Sequence, residues 1–100
     1  MKKEKEELKK IIKQYFQGSQ TYKDLYAFAW KKIESCEKKE SLFNGNPKDA
    51  GEYWYAIWQI QHLADLDHKK EGILDKELAY IIDMLEERKS LPKDRYGTPP

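Results

Sequence analysis

The stretch from Glu52 to His68 constrains the fold more than any other part of the chain. Read at about 100° per residue, its side chains fall on two faces. Tyr53, Ala56, Ile57, Ile60, Leu63 and Ala64 form an apolar stripe. Trp54, Trp58, Gln61, His62 and Asp65 form a second face, aromatic and rich in hydrogen-bonding groups. The first face must be covered by other elements. The second is either packed as well, with each indole and imidazole satisfied by a neighbour, or presented to a partner, since Trp and Tyr are the side chains that anchor interfaces.

Three more stripes accompany it. Leu8, Ile11, Ile12, Tyr15 and Phe16 recur at helical spacing and predict a helix from about Lys3 to Phe16, ended by Gly18. Thr21 is a candidate N-cap, with Asp24 three residues on. The helix it opens carries Tyr22, Leu25, Tyr26, Ala29, Trp30, Ile33 and Cys36 on its buried face, with Phe28 off that stripe. Residues 40–51, with Asn44-Gly45-Asn46-Pro47, read as the longest loop. Asp49, followed by Glu52, reads as the cap of the central helix, and Gly72 as the stop after His68 and two lysines. Leu74, Leu78, Ile81, Ile82 and Leu85 define a last helix from about Ile73 to Lys89, with Tyr80 and Met84 on another flank. No alternating strand pattern occurs. The expectation is an all-α chain: an antiparallel four-helix bundle over 1–92 and an extended tail over 93–100.

Charge and cysteine content narrow the function classes. The 100 residues carry a formal net charge of +1, so no overall basic field argues for nucleic acid. The first twenty residues are lysine-rich, while 41–100 hold an excess of acids. Clustered arginines and helix-turn-helix spacing are both missing. The single cysteine, Cys36, allows no internal disulfide and no Cys-based zinc site. No apolar run reaches the eighteen or so residues of a membrane span, and the charged N-terminus lacks the apolar centre of a signal peptide. A cytoplasmic protein without membrane association is expected.

Candidate chemistry is sparse. His62 and Asp65 share a helix face, with Asp67 and His68 close behind, but a metal site needs further ligands from another helix. Residues 67–78 imitate a calcium loop through Asp67, Gly72 and Asp75, yet Leu78 stands where the bidentate Glu is required. Neither a nucleophile constellation nor a glycine-rich phosphate loop is present. The expectations are therefore no metal, no cofactor, no small-molecule substrate and no enzymatic activity. What remains is the second face of the central helix, with Asp75, Glu77, Asp83, Glu86 and Glu87 available to widen it with negative charge. Such a surface suits a basic protein partner. The expected partner-binding residues are Trp54, Trp58, His62, Asp65, Asp67, Tyr80 and Glu87, with Met84 beside them.

A helical chain of this length, with a lysine-rich first helix, the run Tyr53-Trp54-Tyr55-Ala56-Ile57-Trp58-Gln59-Ile60-Gln61-His62-Leu63 and a tail ending in proline, resembles the small helical immunity proteins of bacteria. The nearest type is that of contact-dependent growth inhibition and colicin D-like systems. The resemblance implies a cytoplasmic inhibitor that binds a cognate toxin domain, of nuclease type, and occludes its active site. Such immunity proteins are commonly acidic, whereas this chain is not. The other functions compatible with the residues are a helical adaptor or oligomerisation module and a small phage-encoded inhibitor.

Overall fold

The computed structural model describes residues 2–35 and 47–90. Every regular element among them is helical: α1 (Lys2–Gln17), α2 (Tyr22–Ser35), α3 (Pro47–Leu63), α4 (Leu66–Lys70) and α5 (Ile73–Leu85). The described residues are all-α, as their periodicity requires. The expected turn at Asn44-Gly45-Asn46, Cys36 and the tail over 93–100 lie outside the described residues.

Local chemistry accounts for most helix ends. Gly18 adopts φ 89°, and its N–H bonds to the Tyr15 carbonyl at 3.1 Å while that of Ser19 bonds to Gln14 at 2.9 Å. This is the paired pattern that closes a helix through a left-handed residue. At the start of α2, the Thr21 N–H donates to Asp24 Oδ2 at 2.8 Å, and the Asp24 N–H donates to Thr21 Oγ1 at 3.3 Å. That is a reciprocal capping box with Asp in the place usually taken by Glu. Gly72, at φ 78°, ends α4 and opens α5.

Two boundaries depart from expectation. α3 begins at Pro47, so Asp49 falls inside its first turn rather than at its cap. Proline is pre-set for a first helical position because its fixed φ is helical and its missing N–H would go unbonded there. At the other end α3 stops at Leu63 instead of running on to His68, and a fifth short helix follows.

The core forms where α3 meets its neighbours. α3 packs against α2 and α5, α1 against the same two helices, and α4 against α5. Every residue from Gly51 to Ile57 is buried, so this half of α3 has no solvent face. Leu8 and Ile12 of α1, Leu25 and Ala29 of α2, and Leu74, Leu78 and Ile81 of α5 close around it. Among the described residues, one charged group lies within this core. Glu52 is buried and meets Lys5 Nζ at 3.0 Å, tying α1 to α3. Phe16, expected in the α1 stripe, is instead exposed.

Candidate functional site

The turn between α3 and α4 is built by Asp65. Its backbone is extended, at φ −137° and ψ 173°, which stops α3. Its carboxylate then caps α4: Oδ1 accepts the His68 N–H at 2.7 Å, and Oδ2 meets His68 Nδ1 at 2.7 Å. These bonds, the backbone one first, hold the Asp65 carboxyl below the usual carboxylate range. A carboxylate offers no proton, so Nδ1 is the donor and Nε2 of a neutral His68 keeps its lone pair. The break also turns the chain so that the His62 and His68 rings lie 5.9 Å apart, at an interplanar angle of 42°.

Two open grooves meet at His62. One, of about 470 Å³, lies between α2 and the α3–α4 turn, bordered by Tyr22, Lys23, Tyr26, Gln61 and Leu66. The other, of about 820 Å³, lies between α3 and α5, bordered by Tyr55, Gln59, Ile73, Lys76, Glu77 and Tyr80. Its Glu77 is engaged, with Oε2 accepting from Tyr55 Oη at 2.9 Å and Gln59 Nε2 at 3.2 Å. Leu66 is 47% exposed, Tyr26 42% and Ile73 39%. These apolar groups rim an imidazole, which suits binding by contact area with a few directed hydrogen bonds.

The residues expected to bind a partner are dispersed by the fold. Trp54 is fully buried, which corrects the reading of it as part of a presented face: α2 and α5 both pack on this helix, and its stretch from Gly51 to Ile57 keeps no side for solvent. Met84, placed on the same recognition surface, is likewise fully buried. Trp58 is half-buried against the core, and His62 is exposed. Asp65 is half-exposed at the cap, and Asp67 is exposed in the first turn of α4. Tyr80 borders the second groove, donates its hydroxyl to the Ser90 carbonyl and has Lys89 Nζ 5.1 Å from its ring centre. Glu87 lies just beyond α5, more than a dozen residues from Ile73, or about 20 Å at helical rise, and so does not join the corner.

The acids of α5 do not form a free negative patch. Asp75 accepts from Tyr15 Oη at 2.6 Å. Asp83 is held by Arg88 at 2.7 Å, and Glu86 by Lys13 at 3.1 Å and Arg88 at 2.7 Å. The hydrogen bond from Arg88 to Asp83, and that from Lys13 to Glu86, keep both carboxyls below their ordinary range. Tyr22, Tyr26, Leu66 and Ile73 were not singled out in the sequence as site residues. The signal for Leu66 was present: Asp65 followed by Leu-Asp-His is cap chemistry, and a helix that stops there turns Leu66 off the core stripe.

Among the described residues, no group of three or more His, Cys, Asp or Glu side chains is placed to hold a metal ion. No described helix is long and apolar enough to cross a membrane. Comparison with protein-family models, curated proteins and solved structures finds no match to this chain.

Proposed function

We propose that the chain is a non-catalytic protein-binding module whose recognition surface is the corner around His62. We further propose that it acts as an immunity protein, covering the active site of a toxin domain. The observation that carries the binding reading is the clustering of exposed apolar side chains. Among the described residues, three of the four large apolar groups that are exposed, Tyr26, Leu66 and Ile73, border the two grooves that share His62. A solvated surface has no need to gather them at one place. Trp58 enters this reading as support beneath the surface and Asp67 as its negative rim, while Trp54 contributes through folding alone.

The arrangement of the four long helices is read here as an antiparallel bundle. Support comes from residues of neighbouring helices that border a common groove: Ile73, at the start of α5, lines the same groove as Leu63, at the end of α3. Tyr22 and Tyr26 near the start of α2 lie beside Gln61 and His62 near the end of α3. Glu7 of α1 likewise pairs with Lys32, late in α2, at 2.7 Å.

The test is co-expression with the toxic C-terminal domain of a secreted protein encoded beside this gene. The native chain should rescue growth and co-purify with that domain. Tyr26→Ala and Leu66→Ala should each weaken binding at least tenfold while leaving the thermal midpoint within a few degrees. Binding unchanged in both variants would remove the corner as the recognition surface. A gene neighbourhood without such a toxin would favour the adaptor reading, which sedimentation of the purified chain would examine directly.

A further inference from the structure

We propose that His62 and His68 together bind a divalent transition-metal ion, such as Zn²⁺ or Ni²⁺, through one ring nitrogen each, with water completing the coordination. In an unbroken helix these residues would stand about 9 Å apart along the axis and about 120° apart around it. The extended backbone at Asp65 removes that separation and brings the ring centres to 5.9 Å. Two imidazoles on one tetrahedral ion, each nitrogen about 2.1 Å from the metal, have ring centres about 5 Å apart. The observed spacing is therefore within about 1 Å of the liganded one.

The second observation is the state of His68. Its Nδ1 is held at 2.7 Å by the Asp65 carboxylate, which fixes the tautomer and leaves Nε2 as the coordinating atom. A carboxylate behind a histidine in this way orients the ring and raises its basicity toward a metal. His62 is exposed and borders both grooves, so an ion and its waters can reach the pair. Borderline ions with a preference for imidazole fit these donors, whereas calcium and magnesium, which require oxygen ligands, do not.

Calorimetric titration of ZnCl₂ and NiCl₂ into the untagged full chain at neutral pH tests the assignment, beside long-range ¹H–¹⁵N spectra of the two imidazoles. The expected result is one equivalent bound, with the His68 Nε2 resonance and one His62 nitrogen shifted. His62→Ala and His68→Ala should each abolish binding. Asp65→Asn retains a competent cap but loses the charge, and should weaken binding by 10- to 100-fold. Absence of heat, or binding that persists in both histidine variants, would overturn the site. Circular dichroism of each variant shows whether the fold is kept. If His62→Ala is folded and binds as the native chain does, the pair is not the ligand set.

Discussion

Replacing Tyr15 with Phe removes one hydroxyl and takes from Asp75 its 2.6 Å donor. A hydrogen bond to a charged group contributes about 1.5–3 kcal/mol, so Tyr15→Phe should lower the unfolding free energy by roughly that amount in urea melts at neutral pH. Burial, and then the Asp75 bond, raise the Tyr15 hydroxyl above its ordinary value. Because the folded pKa is the higher one, the contribution is complete below pH ~10 and is lost as pH rises through the folded value. The gap between native chain and variant should therefore narrow in strong alkali and stay constant below it. Asp65 has the opposite sign. Its folded pKa is depressed, so its contribution is present above about pH 4 and disappears as pH falls through the lower folded value. Asp65→Asn should flatten the acid limb of the melting temperature against pH, and an unchanged limb would show that the cap does not hold α4. Trp54→Ala opens a cavity in the centre of the core and should cost about 3–5 kcal/mol, read as a lowered urea midpoint.

The helix ends offer a sharper test of local structure. α5 closes through the same paired bonds as α1, with the Glu87 N–H on Met84 O at 3.0 Å and the Arg88 N–H on Asp83 O at 2.7 Å. Here the left-handed residue is Glu87, at φ 65°, where α1 uses Gly18. A side chain in that region is strained and glycine is not, so Glu87→Gly should stabilise the protein by about 0.5–1 kcal/mol despite loosening the unfolded chain. The gain should show as a higher midpoint with an unchanged urea slope. Thr21→Ala removes half of the capping box at α2 and should cost about 1 kcal/mol. Both caps at 18 and 21 were legible in the sequence because each depends on residues within four positions of it. The end of α3 was legible too, in Asp65-Leu66-Asp67, but the apolar period running through Ala64 masked it.

At the scale of the whole molecule, the Lys5–Glu52 pair joins the first helix to the central one at the edge of the core, with the carboxylate buried and the lysine part-buried. Removing one member leaves a buried charge, which costs about 3–5 kcal/mol, whereas replacing both by apolar groups of similar size is often neutral or stabilising. Lys5→Met should therefore destabilise strongly, and Lys5→Met with Glu52→Leu should recover most of the loss. A double-mutant cycle of urea melts reads this as a large coupling energy. A near-zero coupling would mean that solvent reaches the carboxylate and that the α1–α3 contact is looser than it stands here. The same wholeness explains the dispersal of the expected recognition face. Two helices pack on α3, and a helix with neighbours on both sides buries Trp54, which a two-faced reading leaves outside.

The sequence by itself determined the helical class, the four long stripes and most of their ends, because periodicity and caps are set by neighbours one to five residues away. It also held the aromatic run that became the core. Tertiary structure alone decided which side of α3 meets solvent, since that depends on how many helices pack against it. It alone paired the acids of α5 with Tyr15, Lys13 and Arg88, through contacts between side chains that composition counts only as charges. And it alone brought Tyr26, Leu66 and Ile73 to one corner beside two histidines, because that meeting depends on a bend of the chain at Asp65 and on where α2 and α5 lie against it.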